Sequence, residues 1–125
     1  MYLIDTDIVI SYLKNRQETV SLIRQIKKPN LSTSIICVGE VVEGLTQEKV
    51  TFFIKAIQEI EIFNLNLAVI IKFADIRRQL RKTGKLLDNF DILIAATCIV
   101  NDLILITGNH KHFNRVPGLK IFVSK

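Results

Sequence analysis

Four short stretches of this chain carry side chains able to do chemistry, and three of them are built around carboxylates. The chain opens MYLIDTDIVI, with Asp5 where the apolar strand Tyr2 to Ile4 runs out and Asp7 two residues on. Asp7 suits the N-cap of a helix expected on Ile8, Val9 and Tyr12, its side chain accepting a backbone N–H. Asp5 is harder to place, because a carboxylate at the buried end of a strand is costly unless something pairs with it. Glu40 lies in STSIICVGEVVEGL and shares a helical face with Glu43 and Gln47 if Val38, Val41, Val42 and Leu45 face the core. That face is either solvated or turned toward a site. Gly39 and Gly44, each costing about 1 kcal/mol of helix stability relative to alanine, would allow another element to come close. In LLDNFDILIAATCI, Asp88 suits an N-cap and Asp91 the first turn, where the helix dipole favours negative charge. In LILITGNHKHF, a turn accounts for Thr107, Gly108 and Asn109, with His110 and His112 after it. If three of these acids converge, they will not stay ionised together unaided, since two carboxylates about 5 Å apart repel by roughly 3 kcal/mol at an effective dielectric near 20.

The elements that would position these groups alternate. Strand patterns cover Tyr2 to Ile4, Leu31 to Ser34, Glu61 to Phe63, Leu103 to Thr107 and Lys120 to Val123. Helical patterns cover Asp7 to Lys14, Glu18 to Lys28, Ile35 to Leu45, Glu48 to Glu59, Leu67 to Lys82 and Asn89 to Val100. The alternation predicts an α/β fold, a three-layer αβα sandwich with a mainly parallel central sheet of about five strands. In such sheets ligands bind beyond the carboxyl ends of the strands, at the switch in strand order. Asp5 would stand at such an end.

The 125 residues, without repeat or low-complexity stretch, suit a single domain over 1–125. Apolar residues make up 49% and mean hydropathy is +0.32, high for so small a chain, so part of the surface is expected to meet a partner. The apolar run Ile92 to Val100 is far short of the roughly 20 residues needed to cross a bilayer. The opening residues lack a basic n-region and carry two aspartates, so a cytoplasmic protein is expected. Cys37 and Cys98 are isolated within apolar patterns, without zinc spacing, and read as buried thiols. Seventeen Lys and Arg against twelve Asp and Glu give +5, a modest bias toward a polyanionic partner.

Taken together, YLIDTDIVISYL, SIICVGEVVEGL, GKLLDNFDILIAA and ITGNHKHFNRVPGL resemble, in that order and over nearly the whole chain, the PIN-domain family and in particular its VapC-like ribonuclease toxins. The resemblance implies a parallel αβα sandwich whose acids gather around Mg²⁺ or Mn²⁺ to cleave RNA. By position, Asp5, Glu40 and Asp91 match the family's acidic residues. Asp5 and Asp91 would be the principal metal ligands and Glu40 a ligand directly or through water. Asn109 would hydrogen-bond a metal water or phosphate, and the hydroxyls of Thr6 and Thr107 would support the site or serve in turns. A hard divalent ion suits such a set, because Mg²⁺ prefers oxygen and is held by a few carboxylates plus substrate phosphate. The likeness also implies a homodimer and a small antitoxin partner that closes the acidic site.

Two positions depart from the family pattern: Asp7 stands where Asn is common, and Asn109 stands where some members have a fourth acid. His110, Lys111, His112 and Arg115 form either a contact to RNA backbone or a solvated loop. Lys72, Arg77, Arg78, Arg81, Lys82 and Lys85 form either a phosphate track or a solvated face. The opening Asp-x-Asp also resembles that of haloacid dehalogenase-like phosphotransferases, which gives Glu40 no role. Within the PIN-like fold, the chain could instead serve as a nuclease of RNA maturation or decay, or as a non-catalytic scaffold that only binds RNA or a partner.

Overall fold

Among the described residues, 1–123 of a computed structural model, β1 (Tyr2–Ile4) leads into α1 (Thr6–Leu13) and α2 (Gln17–Ile26), and β2 (Leu31–Ser34) into α3 (Ile35–Glu43) and α4 (Gln47–Ile57). After β3 (Glu61–Phe63) come α5 (Leu67–Lys82) and α6 (Asn89–Val100), then β4 (Ile104–Ile106), the short α7 (His110–Phe113) and β5 (Lys120–Ile121). The strands form one sheet in the order β3-β2-β1-β4-β5, and every pairing is parallel.

Strand alternation divides the core in two. Leu3 and Leu105, opposite each other in the β1–β4 register, pack with Val69, Ile76 and Leu80 of α5 and with the apolar side of α6. Ile4 and Ile106, the next pair, turn to the other face and pack with Val9, Val38, Val41, Phe53 and Ile57 of α1, α3 and α4. Helices therefore cover both faces, as three layers require.

The sheet's centre is partly polar. Ser32 donates its hydroxyl to the Tyr2 carbonyl at 2.8 Å and Thr33 to the Ile4 carbonyl at 2.9 Å, so these buried groups are satisfied and tie β2 to β1. Ser34 ends the strand and caps α3, its hydroxyl accepting the N–H groups of Ile36 and Cys37 at 3.0 and 3.2 Å. No connecting residue separates β2 from α3.

From β1 the chain builds outward through β2 to β3, then crosses back so that β4 lies on the other side of β1. The switch point thus falls between β1 and β4, where a parallel sheet opens a crevice at its carboxyl edge. Asp5 follows the first of these strands and Thr107 the second.

Several boundaries depart from expectation. β4 and β5 are shorter than the strand patterns, and four residues expected in a loop, His110–Phe113, form α7. Helix α1 starts at Thr6, which makes Asp5 its N-cap in place of Asp7. A Cβ at Gly39 would meet nothing within 4 Å, and one at Gly44 only the carbonyl of its own Val41, so neither glycine serves the close approach of another element. No helix among the described residues is long and apolar enough to cross a membrane.

Candidate active site

Asp5 is buried, with the extended backbone of a cap residue, φ −74° and ψ 167°. One carboxylate oxygen accepts the Thr6 N–H at 2.7 Å and the other the Thr107 hydroxyl at 2.7 Å, which joins the ends of β1 and β4 through this one side chain. Burial, together with the nearby charge of Asp7 and then Asp91, outweighs those two hydrogen bonds and pushes the Asp5 carboxyl up to about 7. Behind it Cys37 Sγ lies 4.0 Å from Asp5 Oδ1, and burial holds that thiol in its neutral form. Both cysteines are buried and free, as their sequence context suggests.

Glu40 is half-buried on α3 and accepts the Thr6 hydroxyl at 2.7 Å, so Thr6 gives its N–H to one acid and its O–H to another. Asp91, in the first turn of α6, is half-buried as well. Burial first, then the charges of Asp88 and Glu40, raise its carboxyl above the usual range, while His112 pulls the other way. Asp5, Thr6, Asp7, Ile10, Glu40, Asp91, Gly108 and Asn109 line one open cleft of about 400 Å³. Elements remote in sequence thus bring Asp5, Glu40, Asp91 and Asn109 together.

Asp7 does something different from capping. It lies in the first turn of α1 and its Oδ2 accepts the Gly108 N–H at 2.8 Å across the cleft. Sequence reasoning gives neither residue a place in the site, since a Thr-Gly-Asn turn explains itself locally. Asn109 donates its N–H to the Thr107 hydroxyl at 3.0 Å, and its side-chain nitrogen lies 2.9 Å from His112 Nδ1. Asp88 occupies the N-cap position of α6 but is exposed and makes no side-chain cap bond, contrary to the expected cap role; the helix starts in solvent, where water serves the first N–H groups.

Among the described residues no three His, Cys, Asp or Glu side chains are grouped closely enough to hold a metal ion by themselves. The donor set still fits a hard divalent ion that keeps several waters and takes one or two carboxylates plus phosphate. An aspartate whose ionisation is opposed by burial and by like charges is the electrostatic state that a cation relieves.

The basic strip of α5 and the turn after it is only partly free. Lys72 and Arg78 flank Asp75 at 3.8 and 3.5 Å, and Arg77 donates to Asn89 at 2.8 Å. Arg81, Lys82 and Lys85 are exposed and in no ion pair among the described residues, as are Lys111 and Arg115.

A family model for the PIN domain matches residues 2–119. Ribonuclease VapC1 of Methanocaldococcus jannaschii is 36% identical over 123 residues, covering 96% of this chain and 85% of that protein. Among solved structures, VapBC2 from Rickettsia felis, bound to a DNA fragment from their promoter, aligns with a TM-score of 0.88 at 22% identity, over 99% of this chain and 98% of that one. A toxin–antitoxin complex from Klebsiella pneumoniae aligns with a TM-score of 0.80 at 26% identity, covering 95% of each chain.

Proposed function

The chain belongs to the PIN domain family, and on that premise we propose that it is an endoribonuclease of the VapC type, the toxin of a toxin–antitoxin pair, hydrolysing RNA phosphodiester bonds with Mg²⁺ or Mn²⁺ at the acidic cleft. The observation that carries this reading is the meeting of Asp5, Glu40 and Asp91, from three separate segments, at the switch point of a parallel sheet.

Asp5 and Asp91 would hold the ion, with Glu40 reaching it directly or through water. When bound, the ion supplies a water of lowered pKa and charge stabilisation at phosphorus. The chain's own contribution is orientation. Thr107 and the Thr6 N–H fix both oxygens of Asp5, and the Thr6 hydroxyl fixes one oxygen of Glu40. Asn109, whose side-chain nitrogen meets His112 Nδ1, would offer its carbonyl oxygen to a water and the free hydrogen of its amide nitrogen to a phosphate oxygen. Arg81, Lys82, Lys85, Lys111 and Arg115 would draw the RNA backbone to an otherwise acidic cleft.

An apolar groove of about 570 Å³, lined by Ile10, Leu13, Val41, Leu45, Phe52 and Phe53, opens beside Glu40. It suits an apolar antitoxin segment that ends with a basic side chain competing for the cation position. Leu67 and Ile71 on α5, 75% and 61% exposed, would be buried in a homodimer. The test is direct: purified protein should cleave RNA with Mg²⁺ or Mn²⁺ and stop in EDTA, and undiminished cleavage in EDTA would sink the reading. A protein that is monomeric at micromolar concentration and harmless when expressed alone would remove the partner part of it.

A further inference from the structure

Asp7 is an exposed acid in a cleft that already holds three others, and its charge opposes the ionisation of both Asp5 and Asp91. It does not cap α1, because Asp5 does. Its one side-chain hydrogen bond among the described residues runs from the Gly108 N–H to its Oδ2 at 2.8 Å. Gly108 has no need of glycine for its backbone, since positive φ among the glycines is confined to Gly84 and Gly118. It needs glycine for space: a Cβ there would lie 2.5 Å from Asp7 Oδ2. The neighbouring residues of the same loop are held from Asp5, whose Oδ2 accepts the Thr107 hydroxyl, which in turn accepts the Asn109 N–H at 3.0 Å. Thr107 and Gly108 thus each hang from a different carboxylate of the α1 start, and Asn109 follows as the next residue out.

We propose that Asp7 is a positioning residue of this site: by accepting the Gly108 N–H it holds the Thr107–Asn109 loop against α1 and fixes where Asn109 stands over the cleft. The proposal rests on the nuclease reading for its consequence in catalysis, though not for the contact itself. What the loop requires of position 7 is an acceptor, not a charge. An asparagine there has the same oxygen in the same place, so Asp7→Asn should preserve the contact, whereas Asp7→Ala removes it and Gly108→Ala pushes it apart.

Three measurements on these three variants decide the matter: hydrogen exchange of the Gly108 amide in metal-free protein, Mn²⁺ affinity, and kcat and KM for RNA cleavage. In wild type and Asp7→Asn the amide should be protected, and in Asp7→Ala and Gly108→Ala it should exchange at the rate of an open loop. Loss of the contact should lower kcat about tenfold or more, as misplaced polar groups do, with Mn²⁺ affinity held within about threefold, and Asp7→Asn should restore most of the rate. Equal Gly108 exchange in wild type and Asp7→Ala would overturn the proposal. So would equal losses of rate and Mn²⁺ affinity in Asp7→Ala and Asp7→Asn, since charge would then be what matters. A fall in thermal stability with kcat unchanged would reduce the contact to a structural one and overturn it too. If wild-type protein cleaves no RNA, the nuclease reading fails, and the exchange measurement still decides the contact by itself.

Discussion

Helices α1 and α6 begin alike, each with an aspartate at the N-cap and a second in the first turn, yet the two pairs divide their work in opposite ways. At α1 the cap residue Asp5 is the buried acid of the cleft, and the first-turn Asp7 reaches out to hold a loop. At α6 the cap residue Asp88 stays in water without a cap bond, and the first-turn Asp91 is the half-buried one that enters the cleft. The difference comes from what precedes each helix. Asp5 alone separates β1 from α1, so the cap is pulled to the sheet edge. An irregular stretch leads into α6, so its cap is left outside and the site receives the next side chain that faces inward. An aspartate near a helix start takes its role from the sheet edge and not from the helix.

The sharpest way to break this comparison is to neutralise the inward acid of each pair. Asp5→Asn should lower metal-dependent cleavage by about a hundredfold or more, given that even outer supports of metal sites cost about ten- to a hundredfold. The fold should survive and, in EDTA near neutral pH, gain stability, because a neutral amide avoids the burial that opposes the carboxylate. Asp91→Asn should also remove metal-dependent cleavage, with thermal stability unchanged or slightly raised, since its carboxyl is strained less, by partial burial and by Asp88 and Glu40. Melting curves and RNA cleavage on both variants test this, and an active Asp91→Asn protein would mean that the inward acid of α6 has been misassigned.

The pH dependence follows from the same two groups. The folded-state carboxyl of Asp5 is raised from 3.8 to about 7 and that of Asp91 is also raised, so their contribution to stability is full when both states are protonated and is lost as pH climbs through the folded value. Metal-free protein should therefore melt progressively lower between about pH 4 and about pH 7, and Mn²⁺ should offset most of that loss at the upper end. Thermal melts in EDTA and in Mn²⁺ across this range check the sign, and stability that rises with pH in EDTA would contradict it. The smallest effect is expected from Asp88→Ala. An exposed cap residue without a bond should cost less than the about 1 kcal/mol of a bonded cap, and metal dependence should persist. Loss of Mn²⁺ affinity in this variant would reverse the comparison.

Much of this is legible in the residues. The limits of α5 and α6 and of the first three strands follow from apolar periodicity; Asp5 and Asp91 stand out by their places at strand and helix ends, while Glu40, inside α3, is singled out only by the family likeness. The cap of α1 falls to Asp5 in place of Asp7 because Asp-x-Asp places two equally good caps two residues apart, and only the end of β1 decides between them. Helix α7 leaves no trace in the sequence because four residues are too few for a periodic pattern. The glycines illustrate a further limit: Gly39 and Gly44 stand out because helices disfavour them, while the one glycine that another side chain approaches, Gly108, is hidden in a turn where glycine is ordinary.

The seamless joint between β2 and α3 has a consequence for how this chain tolerates changes of length. With Ser34 serving as both the last strand residue and the helix cap, Glu40 is carried on a rigid arm with no slack at its base. One residue inserted along that arm would lift Glu40 by about 1.5 Å and swing it by about 100°. The hydroxyls of Ser32 and Thr33 prevent β2 from sliding to compensate, since a slip would leave them buried without their carbonyl partners. An extra residue near Asn15 or Gly84 only lengthens a turn, whereas the same residue between Ser34 and Glu40 takes an acid out of the cleft.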